Sequence, residues 1–310
     1  MSDKERENMD DLLQDYRDYL HDQDKSEQTI KAYMTDLTSF SRWFQQITGE
    51  PLNLENVTPM EIIDYRNALL NWGKKPSTIN RSLISISSFC QWAQQHDLIP
   101  SNPAEGIRSV AEEPLAPRAL ERKEQLALLR AVRRSENLRD LTIITMLLHT
   151  GMRVSELCNL RVSDIIISTN SNMITVREGK GTKRRNIPLN STVISVLKDY
   201  LKALSSNEQV ALITGPSPDK EQFLFYGQKR MPLTDRGVRY IIQKYAYNAK
   251  IDNLSPHVFR HTCAKNLIDA GQPIDRVAKI LGHSNINTTS VYTIPTERDL
   301  HITMESISWE

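Results

Sequence analysis

The chain has 310 residues, of which 39% are hydrophobic and 25% charged, a composition that supports one or two buried cores and excludes a disordered or fibrous polymer. Lys plus Arg number 39 against 38 Asp plus Glu, so a net charge of +1 announces neither a nucleic-acid nor a membrane partner. The distribution says more: residues 1–100 carry 10 basic and 16 acidic groups and residues 101–310 carry 29 and 22, which makes the C-terminal two-thirds the better candidate for holding an anion.

Helical periodicity runs from about residue 8 to 97. Leu12, Leu13, Tyr16, Tyr19 and Leu20 mark a first helix. Ser26 opens a second, with Ile30, Tyr33, Leu37, Phe40 and Phe44 on one face and Gly49 and Pro51 beyond its end. Thr58, Pro59 and Glu61 supply the N-cap, first-turn proline and capping-box acid of a third, which continues through Ile62, Tyr65 and Leu69. After Gly73, Lys74 and Lys75 lead through Pro76 and Ser77 into a fourth carrying Ile79, Leu83, Ile86 and Cys90. These predict a four-helix domain over residues 8–99. Residues 100–118 contain four prolines and no apolar periodicity, the pattern of a linker, and a second domain follows over 119–310. Its helices are expected near 121–134, 138–148, 191–204, 234–249, 256–270 and 273–281, with a hairpin at 173–189. The fold class is mostly α with a small β-sheet. Cys90, Cys158 and Cys263 are far apart without a CxxC pair and read as small core residues in a reducing compartment. No apolar run approaches the roughly 20 residues that span a bilayer, and MSDKERENMDD is too polar for a secretory signal. The expectation is a cytoplasmic protein with no membrane partner.

Four short motifs carry chemistry. Arg153 in TGMRVSEL follows a glycine that breaks one helix and stands at the start of the next, where backbone N–H groups and a guanidinium fork can face an anion; the alternative is a surface pair with Glu156. The turn GKGTKRR, residues 179–185, gathers Lys180, Lys183, Arg184 and Arg185 beside two glycines. It suits a phosphate backbone, lacks the GxxxxGK spacing of a nucleotide loop, and is read alternatively as a solvated basic turn. HVFRH, residues 257–261, places two imidazoles and a guanidinium on one helical turn. His257 and His261 have the spacing of a zinc half-site, but no Glu follows His257, and Arg260 would set a cation beside the metal. His257 and Arg260 therefore read as anion donors, and His261 as a structural residue. Leu281, Gly282 and His283 then precede Tyr292, with nine residues from His283 to the tyrosine. Together these residues make a kit for phosphoryl transfer without metal or cofactor. Arginines neutralise the phosphate oxygens, a lysine protonates the leaving alkoxide, and imidazoles manage the proton of a phenol whose ordinary pKa is about 10.

The order Arg153, Lys180, His257-x-x-Arg260, Leu281-Gly282-His283 and Tyr292 resembles the tyrosine recombinase (phage integrase) family over about residues 10–300, and within it the Xer-type and transposon-borne enzymes. The resemblance implies an N-terminal SAM-like core-binding domain and a mixed α/β catalytic domain that together clamp duplex DNA. It implies that Arg153 and Arg260 hold the scissile phosphate, Lys180 acts as acid to the departing 5′ oxygen, His257 assists proton transfer, His283 bonds the phosphate, and Tyr292 attacks to give a 3′-phosphotyrosine. Glu156 matches the acidic residue that supports the first arginine. Four protomers would act on two DNA sites through a Holliday junction, with a paralogous recombinase or an accessory DNA-bending protein as further candidate partners. Residues 296–309 read as an amphipathic helix, with Leu300, Met304 and Ile307 on one side, that docks on a neighbouring copy, the alternative being docking on its own catalytic domain. DNA contacts are expected from Lys74, Lys75, Ser77, Thr78, Asn80 and Arg81 at a helix start, and from Lys183 and Arg184 in the hairpin. A catalytically silent DNA-binding regulator and a type IB topoisomerase are the alternatives on similar scaffolds.

Overall fold

The computed structural model describes residues 9–112, 117–169, 171–177, 184–206, 222–227, 231–283, 287–294 and 297–305. The chain divides into two compact units, Met1–Glu113 and Pro114–Glu310.

The first unit contains helices α1 (Met9–Asp22), α2 (Glu27–Thr48), α3 (Pro59–Asn71) and α4 (Pro76–Gln95). Their starts follow the local chemistry: the Ser26 hydroxyl accepts the Thr29 N–H at 3.1 Å, and the Glu61 carboxylate accepts the Thr58 N–H at 2.8 Å. The apolar stripes of all four meet in one core, where Tyr16, Ile30, Ile62, Tyr65, Ile79, Ile86 and Phe89 are nearly inaccessible to solvent. Rings interlock there, with Phe40 and Tyr65 centred 5.1 Å apart and Tyr16 and Phe89 likewise 5.1 Å apart.

The proline-rich segment begins as part of this unit. Asn80 donates to the Val110 carbonyl at 2.9 Å and accepts the Val110 N–H at 2.8 Å, Asn102 donates to the Ser87 carbonyl at 3.2 Å, and Arg66 donates to the Arg108 carbonyl at 3.1 Å. Arg66 of α3 and Asn80 of α4 thus satisfy backbone groups of this segment, and Asn102 of the segment satisfies one on α4.

In the second unit, α5 (Arg122–Arg133) and α6 (Leu138–Thr150) are followed by the short α7 (Val154–Cys158). Helix α6 is buried along almost its whole circumference, and α8 (Ser191–Ser206) and α10 (Pro256–Asp269) pack against it. Strands β1 (Ile165–Ile167), β2 (Asn172–Val176) and β3 (Arg185–Pro188) form an antiparallel sheet in that order, with Val176 opposite Arg185. The hairpin expected at 173–189 is therefore present as β2 and β3, and β1 adds a third strand. Helices α9 (Asp235–Ala249), α11 (Ile274–Leu281), α12 (Asn287–Ser290) and α13 (Glu297–Glu305) complete the described elements.

Arg81, expected at the DNA, pairs within its own unit with buried Asp36 at 2.8 Å, and Ser85 donates to the same carboxylate oxygen at 2.9 Å. The Arg81→Ala variant should lower the stability of this unit by roughly 1–2 kcal/mol, because it leaves a buried carboxylate short of a partner. Urea denaturation with a fluorescence readout of the tryptophans checks this, and an unchanged midpoint would contradict it.

Candidate active site

Helix α6 ends at Gly151 in a left-handed conformation, φ 60°, and a Cβ there would stand 2.6 Å from Leu281 Cδ2 and 3.2 Å from Cys263 Sγ. Only glycine lets the end of α6 press against α10 and α11. The Gly151 carbonyl accepts Arg260 Nη1 at 2.7 Å, and the Leu281 carbonyl, at the end of α11, accepts Nη2 at 2.8 Å. Two helix C-termini thereby hold one guanidinium, which is 6% exposed. Burial, with the Arg153 charge beside it, lowers the Arg260 pKa to about 10, which still leaves it charged at neutral pH.

Arg153 stands immediately before α7. Its backbone N–H donates to Glu156 Oε2 at 2.7 Å and its Nη1 to Oε1 at 2.9 Å. The pairing with Glu156 given as the alternative is therefore present: the helix start is capped by its own third residue, which also receives Nη1, while Nη2 donates to the Gly282 carbonyl at 3.4 Å. Glu156 is bonded equally closely by Arg185 from β3, whose Nη1 and Nη2 reach Oε1 and Oε2 at 2.9 and 2.7 Å. Burial pushes the Glu156 carboxyl up, but the bonds from Arg185 and Arg153 outweigh it and hold it below the ordinary carboxylate value.

Arg185 also donates from Nε to the Ile280 carbonyl at 3.2 Å. Gly282 follows at φ 73°, and a Cβ on it would lie 2.8 Å from Arg185 Cδ, Nε and Cζ. The glycine of the LGH motif is thus required by the guanidinium lying across it. His283 comes next, with Nδ1 2.7 Å from the Thr289 hydroxyl and its ring stacked on Tyr292 at a centroid distance of 6.2 Å. Burial, then the charges of Arg260, Arg153 and Arg185, lower the His283 pKa to about 4, so the imidazole is neutral.

Tyr292 lies in a 3₁₀ turn, Val291–Thr293, and is 9% exposed. Its hydroxyl is 3.0 Å from Nδ1 of His261 on α10. Burial raises the phenol pKa, and Arg260 and Arg153 act against that rise.

The structure therefore brings Arg153, Glu156, Arg260, His283 and Tyr292 together, with His257 exposed in the first turn of α10. Lys180 and Lys183 lie outside the described residues, and Arg184 is exposed. In the first unit, Lys74, Lys75 and Ser77 are exposed at the start of α4, while Thr78 and Asn80 are half-buried. Sequence reasoning missed two residues. Arg185 was grouped with the basic turn, although strand alternation puts it on the face of Ile187 and not of Arg184 and Asn186. His261 was read as structural, and it is the imidazole nearest the Tyr292 hydroxyl.

Comparison with known proteins identifies the family of the chain. The phage integrase family model matches residues 118–298, and that of the phage integrase N-terminal SAM-like domain matches residues 13–96. The chain belongs to the phage integrase family. A tyrosine recombinase of Agathobacter rectalis is 40% identical over 158 residues, covering 50% of this chain and 47% of that protein. The tyrosine recombinase XerC of Bacillus subtilis is 33% identical over 199 residues, covering 63% of each. The match thus spans less than two thirds of either relative. XerC of Pediococcus pentosaceus is 28% identical over 96% of this chain and 95% of its own. Among solved structures, a lambda integrase dimer bound to a COC′ core site superposes with a TM-score of 0.71 at 18% identity over 96% of both chains. The XerH recombinase bound to palindromic difH gives 0.72 at 20% identity over 89% of this chain and 79% of that one. These likenesses establish the fold: a SAM-like helical domain followed by an integrase catalytic domain.

Because the Glu156 pKa is depressed in the folded state, the stability it contributes is present above its ordinary value of 4.5 and is lost as pH falls through the folded value. The stability gap between the wild type and Glu156→Gln should be full near pH 7 and shrink progressively below pH 4.5, as read from denaturation midpoints across pH. A gap that widens on acidification would contradict the ion pairs described.

Proposed function

We propose that the chain is a site-specific DNA recombinase of the tyrosine class, acting in the cytoplasm on duplex recombination sites. The observation that carries this reading is the convergence of two guanidinium groups, a neutral imidazole and a buried phenol hydroxyl. In it, Arg153 and Arg260 neutralise the non-bridging oxygens of the scissile phosphate as charge develops. His283, uncharged, donates a hydrogen bond to the same group. The Tyr292 oxygen attacks phosphorus as its proton leaves with the assistance of His257, the P–O5′ bond breaks, and Lys180 protonates the departing oxygen, leaving a 3′-phosphotyrosine. That ester conserves the bond, so the reverse attack by a 5′ hydroxyl rejoins DNA without ATP or a metal. Exchange of strands between two sites through a Holliday junction requires four copies. The exposure of Leu300 (53%) and Met304 (65%) on α13 supports a role for that helix in contacts between copies. Glu156 acts through Arg153 and is a positioning residue.

The test is covalent trapping on supercoiled plasmid carrying the DNA that flanks the chain's own gene, in EDTA and without ATP. A protein–DNA adduct is expected from the wild type and none from Tyr292→Phe. An adduct that survives in Tyr292→Phe would overturn the assignment of the nucleophile, and one that required added metal would overturn the proposed chemistry. Replacing either Arg153 or Arg260 by Ala should lower the rate of adduct formation by roughly 10²–10³-fold.

DNA contact by the start of α4 has a separate signature. The double variant Lys74→Ala, Lys75→Ala should bind the same DNA more weakly and reduce the slope of log K against log salt by about 2, near 0.9 per lost phosphate contact. An unchanged slope would place these lysines away from the DNA.

A further inference from the structure

Thr289 is fully buried on α12, and its hydroxyl lies 2.7 Å from Nδ1 of His283. Among the described residues no other hydrogen-bond partner reaches that hydroxyl. A neutral imidazole carries a single N–H, and which nitrogen bears it is set by the bond that the other nitrogen makes. A proton on Nδ1 would donate to the threonine oxygen and leave the hydroxyl's own proton buried without an acceptor, an arrangement that forfeits more than one hydrogen bond contributes. With the hydroxyl as donor, Nδ1 accepts and the ring proton sits on Nε2. We propose that Thr289 is a positioning residue that holds His283 in the tautomer whose Nε2–H donates to the scissile phosphate. The inference rests on the recombinase reading of this site and adds to it which nitrogen of the uncharged imidazole is the donor.

The surroundings of the ring make its tautomer decisive. Burial, then the charges of Arg260, Arg153 and Arg185, keep the imidazole neutral, so protonation does not supply a second N–H. A phosphate oxygen is an acceptor, and a ring that turned an unprotonated nitrogen to it would set two lone pairs against each other. Nε2 has no hydrogen-bond partner among the described residues, which leaves it for the substrate. The ring plane is set by stacking on Tyr292, with 16° between the planes, and the bond from Thr289 fixes the rotation of the ring within that plane. Thr289 makes and breaks no bond in the reaction and acts through His283 alone.

Two experiments test the assignment, the first without DNA. In the free protein labelled with ¹⁵N-histidine at neutral pH, the His283 resonances, assigned by their loss in His283→Ala, should report a neutral ring protonated on Nε2, and the Nδ1 shift should move in Thr289→Val. A ring protonated on Nδ1, or a spectrum indifferent to Thr289→Val, would overturn the proposal. The second experiment follows single-turnover adduct formation on a nicked duplex of the flanking DNA. Thr289→Val, which keeps the shape of the side chain and lacks the hydroxyl, should lose about 10-fold in rate, and Thr289→Ser should stay close to the wild type. In a His283→Ala background the valine substitution should cost nothing more, because its effect passes through the imidazole. A cost that persists in that background, or a serine variant as slow as the valine one, would reduce Thr289 to a packing residue and end the assignment while leaving the recombinase reading intact. Absence of an adduct from the wild type would instead count against the recombinase reading, and the labelled-histidine experiment would then decide the tautomer by itself.

Discussion

The Glu156 carboxylate, gripped by Arg153 on one side and Arg185 on the other, is the contact on which the rest of the site depends. Three guanidinium groups lie close enough for their charges to bear on one another and on His283. Such a cluster would be expelled into water unless anions or carbonyl dipoles compensated it. Glu156 supplies the anion, with each oxygen receiving a bond from Arg185, and the ends of α6 and α11 supply the dipoles for Arg260. On the reading proposed above, a phosphodiester is the anion this cluster would receive.

The same contact unites segments that are remote in sequence. Arg185 extends from the end of the β2–β3 hairpin, fixes the acid that orients Arg153, and lies across Gly282 next to His283. Gly151 performs the corresponding service at the end of α6, where its missing side chain admits Leu281 and Cys263. Both glycines have positive φ and no room for a Cβ, so backbone conformation and close packing select the same residue twice. A side chain at either position would shift the α6 end or the His283 loop and, with it, one donor of the anion pocket.

Much of the architecture was legible because local chemistry announced it. Ser26, Thr58 with Glu61, and the apolar stripes of α2 and α4 are signals carried within a single turn or face, and the helices begin where those signals place them. Strand β1 was not legible, since Ile165–Ile167 is too short for alternation to emerge and owes its extension to pairing with β2. Asn80 and Arg81 looked like surface donors at a helix start, yet their partners, Val110 and Asp36, lie 30 and 45 residues away and no local pattern encodes them. The chemical residues were recognisable as an ordered set of motifs. What the motifs did not reveal was which of two histidines on one helix turn meets the phenol, because that depends on the tertiary path between Gly282 and Tyr292.

The division of labour between arginines and imidazoles follows from their mutual electrostatics. Burial, then the charges of Arg260, Arg153 and Arg185, keep His283 neutral. Burial and the neighbouring His257 and Arg260 likewise hold the His261 imidazole below its ordinary value. On the proposed recombinase reading, a phosphodiester entering the site would bring a negative charge that opposes this field and would raise the proton affinity of the nearby imidazoles. On that reading fixed positive charge would do two things, holding the phosphate and tying the proton affinity of the nearby imidazoles to its presence.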